Sequence, residues 1–188
     1  MRLDQWVKIT GGLFWVVLLA ACTNHRDPHK SVSNFYVVPT AERYAGFNGH
    51  LSWYGRERAG ALLGLLRDSA IEKIYVTPYS RTLETADSLR LQRRIDTVVY
   101  LVDSTGDDLT ARLEQSRDYG RKILIVSDGP QIPVILQRLG ADYNQGPLPD
   151  SVRNLIFRVV NDHGKVSFNT LSYGPPNQSA DTTASPLP

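Results

Sequence analysis

The chain has 188 residues and a formal net charge of +2, from 21 lysine and arginine residues against 19 acidic ones. The basic residues are spread along the sequence and form no block, so the charge pattern does not favour a nucleic-acid partner. The single cysteine, Cys22, excludes an intrachain disulfide. The length fits one domain with a substantial core between polar ends.

The first residues have the pattern of a targeting segment. Arg2 and Lys8 give a short basic start, and the apolar run at 9–21 is shorter than the roughly 20 residues that span a bilayer. Residues 19–22 read Leu-Ala-Ala-Cys, which resembles a bacterial lipobox, in which the cysteine thiol accepts the lipid. We therefore expect a lipoprotein signal peptide at 1–21 and a lipid anchor on Cys22. The alternative is an ordinary signal peptide that ends near a cysteine.

The resemblance to bacterial lipoproteins implies several acyl chains on Cys22, and several chains attach a protein firmly to a membrane. Thr23 and Asn24 follow the cysteine in place of the aspartate often linked with inner-membrane retention. We therefore expect a lipid-anchored protein of the bacterial cell envelope, with the outer membrane slightly favoured over the inner membrane.

Polar segments flank the expected domain at 34–173. Residues 22–33 lack apolar periodicity and predict a flexible tether, and the Pro-, Ser-, Thr- and Asn-rich residues 174–188 predict a disordered tail. His25 and His29 lie in the tether. No predicted helix fixes them on one face, so we interpret them as solvated histidines in preference to a metal pair.

Strand and helix patterns alternate along the domain. Ser52 and Ser80 stand where they are expected to start helices, and the sequence Asn-Asp-His-Gly at 161–164 predicts a hairpin turn. This order predicts an α/β sandwich with a largely parallel sheet and a C-terminal hairpin at its edge. The predicted strands are 34–38, 73–77, 97–102, 122–126, 155–160 and 165–170, and the predicted helices are 56–68, 81–91, 107–119 and 130–139.

Three loops are the candidate site. In open α/β sheets, ligands bind beyond the carboxyl ends of the strands. The loops that follow the first, second and fourth predicted strands are residues 39–43, 78–81 and 127–131.

Sequence blocks around these loops resemble the histidine phosphatase (phosphoglycerate mutase-like) superfamily over nearly the whole domain. Residues 51–59, LSWYGRERA, resemble the family's Leu-Ser/Thr-x-x-Gly-x-x-x-Ala, and residues 74–86, IYVTPYSRTLETA, are similar to Ile-x-Ser-Ser-Pro-x-x-Arg-Thr-x-x-Thr-Ala. Residues 35–42, FYVVPTAE, resemble a first strand that ends Arg-His-Gly or Arg-His-Ala in the family. Residues 125–130, IVSDGP, stand in place of Val-x-Gly-His-Ser/Gly. The resemblance implies a three-layer α/β/α sandwich, mostly parallel with an antiparallel C-terminal hairpin.

The resemblance also implies that this chain is a degenerate member. Family enzymes attack phosphorus with a histidine, while two arginines and a second histidine neutralise the transferring group. Thr40 stands at the position of the nucleophile, Pro39 at that of the first arginine, and Asp128 at that of the second histidine. Arg81 is the one member of the set found at a matching position, and no cofactor is implied.

Each of these residues also has a structural interpretation. Arg81 is either a retained anion ligand or a helix-start arginine, and we expect it to pair with Asp128 or Glu42, leaving weak or no phosphate binding. Asp128 is expected to cap the helix that begins near Pro130. Glu42 is expected to pair with an arginine at the pocket rim. His50 is expected to be an exposed loop residue, with a replacement catalytic role as the alternative.

We therefore expect a catalytically inactive, membrane-anchored histidine phosphatase-like lipoprotein, a pseudophosphatase with a binding or scaffolding role in the cell envelope. Its expected partners are the membrane, through the lipid on Cys22, and an envelope protein or a small anionic ligand. One alternative is a phosphomonoester hydrolase that uses Thr40 as nucleophile with Asp128 as base, or that recruits His50. Another is an envelope metabolite-binding protein that uses Arg81 as an anchor in the remodelled pocket.

Overall fold

A computed structural model describes residues 31–177, which form one six-stranded sheet covered by four helices. The strands are β1 (Ser33–Pro39), β2 (Lys73–Val76), β3 (Thr97–Val99), β4 (Lys122–Ser127), β5 (Leu155–Asp162) and β6 (Lys165–Ser172). The helices are α1 (Trp53–Leu66), α2 (Ser80–Arg93), α3 (Asp107–Gln115) and α4 (Ile132–Arg138), with a 3₁₀ turn at Gly129–Gln131 before α4.

The sheet has the order β3-β2-β4-β1-β5-β6. Strands β1 to β4 pair in parallel, while β5 runs antiparallel to β1 and β6 antiparallel to β5. The predicted mostly parallel sheet with a C-terminal antiparallel hairpin is therefore confirmed. Because β5 is antiparallel, its first residues lie at the same edge of the sheet as the carboxyl ends of β1, β2 and β4.

Both faces of the central strands are buried, which makes three layers. Strand residues alternate between the faces, as the period of two requires. Tyr75, Ile123 and Ile125 lie on the face that α3 and α4 cover. Val76 and Leu124 lie on the opposite face, which α1 and α2 cover. Two apolar cores thus hold the central strands β4 and β1 in place beneath the loops at their carboxyl ends.

Several predicted boundaries differ from the structure, and side-chain contacts account for two of these differences. β3 ends at Val99 because the next free amide, that of Leu101, donates to the Asp108 carboxylate at 2.6 Å. α3 ends at Gln115, where Asp118 turns into the core and accepts the Tyr75 hydroxyl at 2.7 Å. The predicted fourth helix divides into the 3₁₀ turn and α4.

The two predicted helix starts have different outcomes. Ser52 caps α1, since its hydroxyl accepts the Gly55 amide at 3.3 Å. Ser80 does not cap α2; it is the first helical residue, and its hydroxyl accepts the Asn48 side-chain amide at 3.1 Å. No helix within residues 31–177 is long and apolar enough to cross a membrane.

Candidate functional site

An arginine–aspartate ion pair lies at the carboxyl ends of the central strands. Arg81, the second residue of α2, donates from Nε to Asp128 Oδ1 at 2.8 Å and from Nη2 to Asp128 Oδ2 at 2.6 Å. This two-point geometry is the strongest form of an arginine–carboxylate contact. The sequence prediction of an Arg81–Asp128 pair is confirmed, and the alternative pairing of Arg81 with Glu42 is wrong.

The pair is largely removed from solvent. The side chain of Arg81 is 9% exposed and that of Asp128 is 21% exposed. Burial raises the pKa of Asp128, but the hydrogen bonds and charge of Arg81 outweigh it, so the pKa lies below its usual value. The hydrogen bond to Asp128 in turn raises the pKa of Arg81 against the effect of burial. Asp128 is therefore a carboxylate at neutral pH.

Each of the three Arg81 nitrogens donates a hydrogen bond within the protein. Its Nη1 donates to the Phe47 carbonyl at 3.0 Å, and its guanidinium carbon lies 4.1 Å from the centroid of the Tyr79 ring. Each of its three nitrogens is engaged, and a ring covers the planar face. An external anion could take the two-point contact with Nε and Nη2 of Arg81 only by displacing Asp128.

The prediction that Asp128 caps the following helix is wrong. Asp128 does stand immediately before the 3₁₀ turn, but its side chain makes no capping hydrogen bond. The carboxylate is directed to Arg81 and Thr40 instead. A two-point contact with a charged guanidinium is stronger than a single hydrogen bond from a backbone amide.

Thr40 links this pair to a second arginine. The Thr40 hydroxyl donates to Asp128 Oδ1 at 3.3 Å, and Arg153 Nη1 lies 3.2 Å from the same hydroxyl oxygen. Arg153 Nη1 also donates to the carbonyls of Thr40 at 2.8 Å and Ala41 at 3.1 Å. The Thr40 amide bonds to the Ser127 carbonyl at 2.8 Å, which fixes the end of β1 against the end of β4. Thr40 is fully buried.

Arg43, Asp150 and Arg153 complete a cluster that sequence reasoning missed. Asp150 Oδ2 lies 3.0 Å from Arg153 Nη2 and 3.3 Å from Arg43 Nη2. We call Arg43, Arg81, Arg153, Asp128 and Asp150 the arginine–aspartate cluster. Three arginines and two aspartates leave it with one excess positive charge.

Topology explains why Arg153 and Asp150 were missed. The candidate site was predicted from the loops that follow the parallel strands. The loop that precedes the antiparallel β5 reaches the same edge of the sheet, and Asp150 and Arg153 lie in it. The predicted hairpin was the available signal, because it implied at least one strand of reversed direction. Arg43 lies in the first candidate loop, residues 39–43, but the sequence analysis assigned it no role in the site.

Glu42 pairs with Arg58 of α1. Arg58 donates from Nε to Glu42 Oε2 at 2.9 Å and from Nη2 to Oε1 at 2.5 Å, and its side chain is fully buried. Arg58 Nη1 also donates to the carbonyls of Tyr173 at 3.2 Å and Pro175 at 2.8 Å. The prediction of an arginine partner for Glu42 is confirmed, although this arginine is buried and holds the segment after β6 against the loop after β1.

His50 and Glu84 form a contact at the outer side of the loop. His50 Nδ1 contacts Glu84 Oε1, and the other oxygen of Glu84 accepts the Leu51 amide at 2.8 Å. Burial raises the pKa of Glu84, but this amide and His50 lower it overall. The His50 side chain is 71% exposed, which confirms the expectation of an exposed loop histidine.

Comparisons with known proteins address the fold. No protein-family model matches the sequence, and no curated protein matches it. The structure is similar to the α-ribazole phosphatase of Shigella flexneri, with 13% identity and a TM-score of 0.56 over 74% of this chain and 96% of that one. It is also similar to YhfR of Bacillus stearothermophilus, with 17% identity and a TM-score of 0.54 over 72% of this chain and 94% of that one. A mycobacterial glucosyl-3-phosphoglycerate phosphatase gives 12% identity and a TM-score of 0.53 over 77% of this chain and 100% of that one.

The chain has the histidine phosphatase fold. In this histidine phosphatase fold the arginine–aspartate cluster lies beyond the carboxyl ends of β1, β2 and β4, the place where open α/β sheets bind ligands. Cys22, His25 and His29 lie outside the described residues. Among residues 31–177, no group of three histidine, cysteine or acidic side chains is arranged to hold a metal ion.

Proposed function

We propose that this chain is a catalytically inactive histidine phosphatase-like lipoprotein, anchored to a membrane of the bacterial cell envelope by lipid on Cys22, where it binds or scaffolds another envelope component. The main support for the proposed loss of activity is the two-point ion pair between Arg81 and Asp128. It uses the one arginine that matches the family pattern, and it places a carboxylate among the groups that would have to attract a phosphoryl group.

Electrostatics argue against phosphoryl transfer at this pair. Catalysis of phosphoryl transfer depends on positive groups that stabilise the transferring oxygens without rearranging. A dianionic phosphate would meet Asp128 at about the distance of Arg81, so repulsion would offset much of the attraction. Loss of a nucleophile costs on the order of 10⁶ in rate in a serine protease, and here the position assigned to the nucleophile holds Thr40.

The hydrolase alternative requires Thr40 to attack and Asp128 to accept its proton. Thr40 is fully buried, and its hydroxyl lies between Asp128 and Arg153. The lowered pKa of Asp128 makes it a weak base at neutral pH, whereas an effective general base has a pKa near the working pH. These properties favour an inactive domain over a hydrolase with a threonine nucleophile.

Two measurements test the loss of activity. We expect no turnover of para-nitrophenyl phosphate between pH 4 and 8, and a change of less than about 1 °C in the thermal midpoint with 10 mM phosphate, since only a ligand that binds the folded state stabilises it. Turnover that disappears in Thr40→Ala or His50→Ala would establish the hydrolase alternative. A midpoint shift of several degrees in the wild-type chain would instead support a metabolite-binding protein.

A rebuilt site provides a positive control for the assay. The triple variant Pro39→Arg, Thr40→His, Asp128→His restores the three family residues beside Arg81. We expect the folded triple variant to bind phosphate or to hydrolyse the chromogenic substrate. If it is folded and does neither, the assignment of Thr40 and Asp128 to the catalytic positions is wrong.

The membrane anchor has a separate test. We expect metabolically supplied palmitate to label the wild-type chain and to fail to label Cys22→Ser, with the wild-type chain in the membrane fraction. Separation of the two membranes by density should place it mainly in the outer membrane, because Thr23 and Asn24 follow the cysteine. An unlabelled wild-type chain would indicate an ordinary signal peptide.

A further inference from the structure

Two arginines of the arginine–aspartate cluster share a single carboxylate oxygen. Arg153 Nη2 lies 3.0 Å and Arg43 Nη2 lies 3.3 Å from Asp150 Oδ2. Arg43 comes from the loop after β1, and Arg153 from the loop before β5. Two guanidinium groups from separate segments therefore converge on one point at the edge of the sheet.

The charges at this point are not balanced. Arg81 and Asp128 satisfy each other, which leaves Arg43 and Arg153 with Asp150 as their one acidic partner in the cluster. The Nε of Arg43 is buried and has no hydrogen-bond partner among the described residues. Both observations indicate that the two guanidinium groups have capacity for more negative charge than Asp150 supplies.

Asp150 is the least buried member of this group. Its side chain is 47% exposed, against 25% for Arg43 and 11% for Arg153. Ion pairs with an exposed member contribute little to stability, because water competes for both charges and salt screens them. Replacing the Asp150 carboxylate by an anion from solution therefore costs little, whereas Arg153 is fixed by the carbonyls of Thr40 and Ala41.

The loop that carries Asp150 is held close to the site. The Val152 amide bonds to the Pro149 carbonyl at 3.0 Å, which forms a turn around Asp150. A Cβ atom on Gly129 would lie 3.2 Å from the Pro149 carbonyl oxygen, so this turn packs directly on the residue that follows Asp128.

We propose that Arg43 and Arg153 form a site for a small dianionic oxyanion, which the chain fills with its own Asp150 carboxylate. Without Asp150 the cluster has three arginines and one aspartate, a net charge of +2 that matches a dianion such as phosphate or sulfate. The inference deepens the proposed function, since it rests on Arg81 being held by Asp128 and gives a second reason to expect weak anion binding by the intact chain. A ligand of the envelope that carries such a group would bind by displacing Asp150.

The test compares melting of matched variants in 20 mM phosphate or sulfate against sodium chloride of equal ionic strength. We expect Asp150→Asn and Asp150→Ala to gain about 4 °C or more in the thermal midpoint with either dianion, while the wild-type chain gains less than about 1 °C. Adding Arg43→Gln to Asp150→Asn should remove the gain, because Arg43 Nη2 donates to the Asp150 carboxylate at 3.3 Å and would bind the dianion in its place.

The outcomes separate this inference from the proposed function. If neither Asp150 variant gains a shift, or if the shift survives Arg43→Gln, the site at Arg43 and Arg153 is wrong and the proposed inactive phosphatase fold is unaffected. If the wild-type chain is stabilised as much as Asp150→Asn, Asp150 does not block the site, and the expectation of weak phosphate binding is wrong as well.

Discussion

Replacing Asp128 by asparagine should destabilise the domain more than the same change at Asp150. The substitution removes the charge opposite Arg81, whose side chain is 9% exposed, and weakens hydrogen bonds of 2.8 and 2.6 Å. Breaking a fully buried ion pair from one side costs about 3–5 kcal/mol, and a hydrogen bond to a charged group contributes about 1.5–3 kcal/mol. Because Asp128 keeps 21% exposure and Arg81 keeps the Phe47 carbonyl, we expect a loss of about 2–3 kcal/mol.

Thermal unfolding at pH 7 measures this difference. For a domain of this size, a loss of about 2–3 kcal/mol lowers the thermal midpoint by ~5–10 °C. Asp150→Asn is the matched control, with an expected loss of about 0–1 kcal/mol because its ion pairs are solvent-exposed. Equal midpoints for wild type and Asp128→Asn would refute the reasoning, since the ion pair would then contribute nothing measurable.

The same pair makes stability depend on pH. The pKa of Asp128 is lower in the folded protein than in the unfolded chain, where an aspartate titrates at about 3.9. Its contribution is therefore complete above this value and is lost as the pH falls through the folded-state pKa. The difference between wild type and Asp128→Asn should be constant from pH 5 to 7 and should shrink below about pH 4. A difference that persists unchanged at pH 3 would assign the effect to packing and not to charge.

Other variants test the packing around the site. Gly55→Ala places a Cβ atom 2.0 Å from the Glu42 carbonyl oxygen, so we expect a loss of about 3 kcal/mol or more in urea unfolding. Gly60→Ala, in the same helix with no atom within 4 Å of the new Cβ, should instead add about 0.5–1 kcal/mol. Arg58→Met leaves Glu42 buried without its partner and should cost about 3–5 kcal/mol, and adding Glu42→Met should recover part of this loss. If the double variant is no more stable than Arg58→Met, the loss does not come from an unpaired carboxylate. His50→Ala should change stability by less than about 0.5 kcal/mol, because the side chain is mostly exposed.

The sequence predicted the fold well because its local patterns agree with the tertiary contacts. The apolar run of β4 lies between two strands, and its residues alternate between two cores, so composition and burial carry the same information. Boundaries were predicted less well where side chains from distant positions decide them. The end of β3 depends on the Asp108 carboxylate, and no local pattern at Val99 contains that contact.

The site was predicted in part for a similar reason. Arg81 and Asp128 follow parallel strands, so strand order was enough to bring them together. Arg153 contacts Thr40 from the loop that precedes the antiparallel strand β5. Neither its partner nor its burial can be predicted from the residues next to it in sequence. The capping role assigned to Asp128 was a local inference, and a long-range ion pair overrode it.

The positions of the arginines bear on what the proposed loss of catalytic residues would mean for this site. Pro39 provides no charge where the family pattern has an arginine, yet Arg153 places a guanidinium 3.2 Å from the Thr40 hydroxyl from a different segment of the chain. Positive charge is therefore retained at the carboxyl ends of the strands, although the matching arginine is neutralised by Asp128. Positive charge without a nucleophile is sufficient for binding an anion but not for transferring a phosphoryl group. The arrangement thus supports the proposed binding role for the domain, in which displacement of Asp150 would decide whether a small anion can enter.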